Sequence, residues 1–261
     1  VSATHDVERI HEALLAAAEA VRPYVPGDIA FSVKAERGDP LTEADLAANR
    51  ALHAVLPRPG EGWLSEESAD DRSRLGHDRV WVVDPIDGTR EFVDGIPEWC
   101  ISVGLVERGV PVAGGILNPA TGELVLGSLE TGVTYNGSAA QVLDAPELRG
   151  TVVLASRSET RRGEWARFEG APFAVRPCGS VAYKMALVAA GKVEATLTVV
   201  PKSEWDVAAG AALVRAAGGR VTLLDGSEPL FNQPAPRFPH LIAAGPRAWR
   251  SILDGWFTEA T

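Results

Sequence analysis

The chain is 261 residues long, 46% apolar and 23% charged, a composition that supports a packed core and excludes disorder for its bulk. Its 35 acidic and 25 basic residues leave a formal charge of −10, the wrong sign for displacing counterions from a nucleic-acid polymer. That sign also argues at first against a phosphorylated substrate, unless something reverses it locally. The length suits one large domain or two modest ones. Cys100 and Cys178 are too few for a disulfide framework and are expected to be reduced and buried. No apolar run reaches the ~20 residues of a bilayer span, and no basic-then-apolar leader opens the sequence. A cytoplasmic protein without a membrane partner is expected.

In chain order, a first helix is predicted with Thr4 as its N-cap and Ile10, Leu14, Ala17 and Val21 on its apolar face. Pro23 and the Pro26–Gly27 pair end it. After a polar stretch to Asp39, Thr42-Glu43-Ala44-Asp45 opens a second helix, which runs to Leu56 and is closed by Pro57, Pro59 and Gly60. Thr42-x-x-Asp45 fits a capping box, in which the acid satisfies a backbone donor. Strands follow. Val80–Val83 is an apolar run ending in Asp84-Pro85, and Ile101–Val106 and Val110–Leu117 form a hairpin across Glu107-Arg108-Gly109. Glu123–Gly127 and Gly132–Tyr135 continue an antiparallel pattern.

The second half alternates between the two element types. Val152–Ala155, Phe173–Val175, Val193–Val200, Arg220–Leu224 and Leu241–Ala244 read as strands. Glu159–Phe168, Val181–Ala190, Asp206–Ala217 and Arg247–Phe257 read as helices. Such alternation implies an α/β fold with layered sheets, antiparallel in the first half and mixed in the second. A boundary near Pro146 is expected, dividing an α+β subdomain (residues 1–146) from an α/β one (residues 147–261).

The segment Trp81-Val82-Val83-Asp84-Pro85-Ile86-Asp87-Gly88-Thr89-Arg90-Glu91-Phe92 carries the clearest chemistry. A buried strand delivers Asp84, Pro85 stops the ladder, and Asp87 follows so that both carboxylates can converge. Gly88 permits close approach of a ligand to the backbone. Two hard oxygen anions beside a tight turn suit Mg²⁺; the same spacing also suits a turn whose acids cap backbone amides. Glu66 and Glu67 form an acidic pair that on its own reads as solvated surface. Asp206 opens an Ala-rich helix, as an N-cap or as a rigidly held ligand. Gly179-Ser180 precedes the helix carrying Lys184, an arrangement suited to an anion and equally to a plain cap. The five histidines lack metal-ligand spacing, and no Cys-x-x-Cys, nucleophile-elbow, Walker or dinucleotide motif is present.

Taken together, Thr42-x-x-Asp45, Ser65-Glu66-Glu67-Ser68, Asp84-Pro85-Ile86-Asp87-Gly88-Thr89 and Trp205-Asp206-x-Ala208-x-Gly210 resemble, in order, the motifs of the inositol monophosphatase superfamily of Mg²⁺-dependent, lithium-sensitive phosphatases. Arg90-Glu91-Phe92, Asp70-Asp71, Gly179-Ser180 with Lys184, and the segments Leu224–Ser227 and Phe231–Gln233 look most like its 3′(2′),5′-bisphosphate nucleotidase branch. The resemblance implies a layered αβαβα sugar-phosphatase sandwich and two or three Mg²⁺ ions. Glu66, Asp84 and the Ile86 carbonyl would hold one ion, and Asp84, Asp87 and Asp206 a second, with a third near Glu66. Thr89 paired with Asp45 would activate water, and Gly88, Thr89, Arg90, Gly179, Ser180 and Lys184 would contact substrate. Hydrolysis would proceed by in-line attack without a phosphoenzyme.

One position departs from that branch. Where its members carry an Arg about eight residues before the Trp-Asp acid, Thr198 stands here, and the nearest cation is Lys202, a point charge rather than a bidentate fork. The expected activity is removal of the 3′-phosphate from adenosine 3′,5′-bisphosphate or a related sulfonucleotide. An inositol or sugar monophosphatase is the alternative, and a non-catalytic phospholigand-binding protein a remote one. The protein is expected as a monomer or homodimer. The acidic balance then acquires a meaning: bound Mg²⁺ would reverse the sign of the site, which without metal repels its substrate.

Overall fold

The computed structural model describes residues 2–34 and 40–257. Helix α1 (Ala3–Val21) is capped by Ser2, whose side chain accepts from the His5 amide, two residues earlier than the Thr4 expected from sequence. Both hydroxyls suit an N-cap, and the first turn simply extends to the earlier one. Strands β1 (Phe31–Val33) and β2 (Pro40–Thr42) pair antiparallel within the stretch read from sequence as merely polar. Helix α2 (Glu43–Val55) starts from the expected capping box of Thr42 and Asp45.

A seven-stranded sheet follows: β3 (Glu61–Ser65), β4 (Arg79–Asp87), β5 (Cys100–Glu107), β6 (Val110–Asn118), β7 (Glu123–Ser128), β8 (Gly132–Tyr135) and β9 (Ser138–Ala140), in that spatial order. Helix α3 (Thr89–Val93) is inserted after β4. The hairpin at Arg108–Gly109 stands where the sequence puts it. One pair departs from the antiparallel pattern: β3 runs parallel to β4, because residues 66–78 provide a crossover rather than a tight turn.

The second sheet contains β10 (Val152–Ser156), β11 (Ala174–Cys178), β12 (Ala195–Thr198), β14 (Arg220–Thr222) and β16 (Leu241–Ala244), ordered β11-β10-β12-β16-β14. It is mixed, parallel around β10 and antiparallel around β16. Between these strands lie helices α4 (Arg157–Arg161), α5 (Val181–Ala189) and α6 (Glu204–Ala216), with α7 (Pro246–Trp256) last. A short ladder joins β13 (Lys202–Ser203) to β15 (Arg237–Phe238). The helix expected over Glu159–Phe168 is broken into α4 and a 3-10 turn at Ala166–Phe168, with Gly163 at φ +79° between them.

The layers follow from where the apolar side chains go. Ile10, Leu14 and Ala17 of α1 and Ala48 and Leu52 of α2 pack with Trp81, Val83, Ile101 and Val103 on one face of the large sheet. The other face and the inner face of the second sheet enclose α5 and α6. Phe168, Phe173, Ile242 and Ile252 form a third core beneath α7. The architecture is thus αβαβα. Helix α6 lies unusually close to the large sheet because β5 and β6 present glycine there. A Cβ on Gly104 would stand 2.8 Å from the Ala209 nitrogen, and one on Gly114 would stand 2.6 Å from the Ala209 carbonyl oxygen. That contact sets the height of the α6 N-terminus over the end of β4. Among the described residues no helix is long and apolar enough to cross a membrane.

Candidate active site

In a regular strand, residues three apart point to opposite faces. Asp84 and Asp87 do not, because β4 bulges between them: Asp84 pairs with Ser102 and Asp87 with Cys100, so three steps on β4 oppose two on β5. Pro85, which has no N–H to donate, interrupts the ladder rather than stopping it as expected from sequence, because pairing resumes at Asp87. The bulge turns Asp87 to the same side as Asp84, toward α5 and α6. Gly88 follows at φ +96°, where a Cβ would meet the Glu98 carbonyl oxygen at 3.1 Å.

Three of the site acids each spend one oxygen on a helix N-terminus. Asp45 Oδ2 accepts from the Thr42 amide (2.8 Å) and the Thr42 hydroxyl (2.6 Å) at the start of α2. Asp87 Oδ2 accepts from the Ser180 hydroxyl (2.6 Å) and the Ala182 amide (2.5 Å) at the start of α5. Asp206 Oδ2 accepts from the Ser203 amide (2.8 Å). Asp206 is therefore the third residue of α6 in a capping box, with Ser203 as N-cap, rather than the N-cap its position suggested. The capping and ligand-holding roles left open by the sequence are compatible, because the second oxygen of each carboxylate remains available. On Asp45 that oxygen accepts from Thr89 Oγ1 at 3.0 Å, and Thr89 Oγ1 also lies 2.9 Å from the Ile86 carbonyl oxygen.

Glu66, Asp84 and Asp206 bring carboxylate oxygens within 4.8 Å of one another. Asp87 stands outside that tightest triad but close enough to raise the proton affinity of its neighbours. Burial, then the charges of Asp87 and Glu66, push Asp206 up to about 7. Burial, then Glu66, Asp87 and Asp206, raise Asp84 well above the ordinary range. Burial raises Asp87 and Asp45 despite the hydrogen bonds each receives. Among the described residues none of Asp84, Asp87 and Asp206 has an ion-pair partner. A group of hard carboxylates around buried Asp84, with half-buried Glu66 and Asp206 and no nitrogen or sulfur donor among them, fits a hard divalent cation.

The two nearby lysines have partners of their own, and Lys34 takes Glu66 of the triad as one of them. Lys34 binds Glu66 (2.7 Å) and Glu67 (2.5 Å); against burial, these two acids hold its ammonium above the usual range, while burial pushes Glu67 up to about 7. Lys184 is buried and donates to the carbonyl oxygens of Cys178 (3.3 Å), Gly179 (3.4 Å) and Ser180 (2.6 Å), and burial lowers its pKa. Its charge thus supports the turn before α5 and faces Asp87 from behind. Gly179 donates its amide to Glu98, which also holds Arg157 through two contacts of 2.6 and 2.7 Å. Ser180 caps α5 at φ +51°. Gly88, Thr89, Arg90, Gly179, Ser180 and Lys184 all border one cleft of about 1120 Å³, together with Glu66, Asp84, Ile86, Asp87 and Asp206. Asp45 lies behind Thr89, outside the lining.

Some organising residues had no sequence signal. Lys34 lies in a stretch without periodicity. Glu159, fully buried, accepts from Thr198 Oγ1 (2.5 Å), Trp165 Nε1 (3.1 Å) and the Val199 amide (3.4 Å) and pairs with Lys202 at 3.2 Å. Against burial, Lys202, Thr198 and Trp165 hold its carboxyl below the usual range. Thr198 and Lys202 are therefore tied to each other through Glu159 behind the cleft wall. Glu159→Ala is expected to cost about 3 kcal/mol in urea unfolding, because it strands Lys202 and the buried Trp165 Nε1 donor and removes the partner of Thr198 and the Val199 amide. Asp70, Asn232 and Gln233 make no wall of the cleft. Arg74 holds Asp70 and Asn232, and the Asn232 and Gln233 amides donate to Glu204, forming a bracket around buried Arg74 and Glu204 near Asp206.

Layered sheets, an unbalanced acid cluster at the end of one strand and a polar cleft above it suit an enzyme that works with a divalent cation. The chain belongs to the inositol monophosphatase family, whose model matches residues 4–252. It is 35% identical over 204 residues to an inositol-1-monophosphatase of Mesorhizobium japonicum, covering 75% of this chain and 76% of that protein. It is 33% identical over 249 residues to a 3′-phosphoadenosine 5′-phosphate phosphatase of Mycobacterium tuberculosis, covering 88% of this chain and 90% of that one. The crystal structure of CysQ from Bacteroides thetaiotaomicron superposes with a TM-score of 0.78 at 29% identity, covering 93% of this chain and 98% of that one.

Proposed function

We propose that the protein removes the 3′-phosphate of adenosine 3′,5′-bisphosphate or a related sulfonucleotide, using two or three Mg²⁺ ions. The observation that carries this reading is the charge of the cleft beyond the acid cluster. Arg161 and Arg237 line it, both are exposed, and among the described residues neither has a carboxylate partner. Two unneutralised guanidinium groups suit a substrate with a second anionic group away from the scissile one. The longer span of similarity to the nucleotide phosphatase agrees with it.

Glu66, Asp84, the Ile86 carbonyl, Asp87 and Asp206 are the residues that would hold the ions. Bound there, Mg²⁺ supplies Lewis acidity that favours ionisation of the attacking water and offsets charge on the phosphoryl oxygens. Thr89 Oγ1, which donates to Asp45, keeps lone pairs with which to orient that water. Asp45, its proton affinity raised by burial, is suited to receive the proton through Thr89. The Gly88 and Thr89 amides would receive the transferred group, and Gly179 and Ser180 line the cleft next to Asp87 and Gly88.

A second reading, an inositol or sugar monophosphatase, is favoured by Thr198, whose hydroxyl is spent on Glu159 where an anchoring Arg would serve a nucleotide. Phosphate release with Mg²⁺ from adenosine 3′,5′-bisphosphate, inositol 1-phosphate, fructose 1,6-bisphosphate and histidinol phosphate separates the two. The nucleotide is expected to give the highest kcat/KM, by at least about tenfold, which is roughly 1.4 kcal/mol of discrimination. A clear lead for inositol 1-phosphate overturns the nucleotide assignment.

A further inference from the structure

The acid cluster and the arginines leave one part of the cleft unexplained. Phe31 and Val33 border it, yet their side chains remain 55% and 61% exposed. They are two apart on β1 and so share one face of the strand. Pro40 of β2, together with Val93 and Ile96 after the Asp84–Thr89 turn, adds to the same apolar lining. A catalytic cleft handling only hydroxyls, phosphates and ions has no use for an exposed aromatic ring at its border.

The position of that ring is tied to the chemistry. Phe31 stands opposite Thr42 in the β1–β2 ladder. Thr42 in turn holds Asp45 through its amide and hydroxyl, and Asp45 holds Thr89. Three residues beyond Phe31, Lys34 is fastened to Glu66 and Glu67. Both ends of this short strand are thus anchored to groups of the acid site, and the free faces of Phe31 and Val33 are held at a set place beside it.

We infer that Phe31, with Val33 beside it, packs against the purine of the substrate and selects nucleotides over cyclitol and sugar phosphates. This rests on the nucleotide reading and deepens it. A purine offers a flat π-face that stacks on a phenyl ring. A cyclitol or sugar phosphate carries oxygen on nearly every carbon and gains little from an apolar wall. The occupant then matches the cleft in three respects: a phosphate at the acids, a second anion for Arg161 and Arg237, and a base for Phe31.

The test compares wild type, Phe31→Ala and Phe31→Trp on adenosine 3′,5′-bisphosphate and on inositol 1-phosphate, in saturating Mg²⁺. Phe31→Ala is expected to raise KM for the nucleotide about tenfold or more, which is at least about 1.4 kcal/mol. Its KM for inositol 1-phosphate is expected to stay within about twofold. Phe31→Trp is expected to keep the nucleotide KM at or below the wild-type value. Equal losses on both substrates overturn the inference, because they mark a disturbed strand rather than a lost stack. An unchanged nucleotide KM in Phe31→Ala overturns it as well. These outcomes differ from failure of the nucleotide reading, which appears in the wild type as preference for inositol 1-phosphate before any substitution is made.

Discussion

Asp87→Asn is expected to lower kcat about a thousandfold at saturating Mg²⁺ while leaving the fold intact. The prediction rests on the division of labour within the carboxylate. Asp87 Oδ2 accepts from Ser180 and Ala182 and so completes the start of α5. The carbonyl oxygen of an asparagine can make both of those bonds. Its amide then occupies the position of Oδ1 and presents N–H donors where a cation needs an anionic ligand. About 4 kcal/mol of charge stabilisation is lost, which is roughly three powers of ten in rate. Phosphate release across a Mg²⁺ titration, beside a thermal melt, checks this. A variant that keeps its activity at saturating Mg²⁺ would show that Asp87 holds no essential ion. A variant that loses activity only through a collapsed melting temperature would make Asp87 a helix cap and nothing more.

The second large effect concerns the metal-free protein. Asp206 and Glu67 are each pushed up to about 7, and Asp84 is raised well above the ordinary carboxylate range, by burial first and then by neighbouring acids or in spite of Lys34. The folded state therefore binds protons that the unfolded state has already released. Stability from these groups is complete below about pH 4 and is lost as pH rises through their folded-state values, near 7 and above. Each tenfold difference in proton affinity is worth about 1.4 kcal/mol. In EDTA, the melting temperature is expected to fall by roughly 5–10 °C between pH 6 and pH 8, at about 2–4 °C per kcal/mol for a chain of this size. Millimolar Mg²⁺ should restore it, and the gain should be larger at pH 8, because ligands must be deprotonated to bind. Differential scanning fluorimetry over a grid of pH with and without Mg²⁺ measures both. A metal-free melt that is flat or rises over that interval would sink the account of an unbalanced acid cluster.

The same expectation gives the acidic composition a role. Five of the 35 acids, Asp45, Glu66, Asp84, Asp87 and Asp206, gather near one cleft. Without a counter-charge, those of them that are ionised repel an anionic substrate as well as one another. A phosphate ester becomes an acceptable ligand once divalent cations occupy the cluster.

The residues that carry local instructions were legible in the chain itself. Thr42 and Asp45 form a capping box because the hydroxyl and acid stand at the spacing a first helical turn requires. Gly109 permits the hairpin between β5 and β6, and Pro85 interrupts regular pairing on β4, through properties of single residues. The apolar periods of α1 and α2 and the alternation of strands and helices after Val152 are enough to imply layered sheets. The types of the site acids are likewise a sequence property, but hard carboxylates beside Gly88 suit a capped turn as well as a hard cation until the other motifs are set beside them.

Only the tertiary structure decided how those acids work together. The irregular register of β4 against β5 turns Asp87 to the side of Asp84, which a regular strand would not do. The close seating of α6 on Gly104 and Gly114 brings Asp206 over the strand end. Lys34, Glu159, Lys202 and Arg74 find partners remote in sequence, and a charge carries no mark of which distant charge it will meet. The same holds for Phe31, whose exposure depends on where β1 is anchored. Backbone preferences act over a few residues and can be read from them. Burial, electrostatic pairing and the meeting of three helix N-termini depend on distances that exist only once the layers have closed.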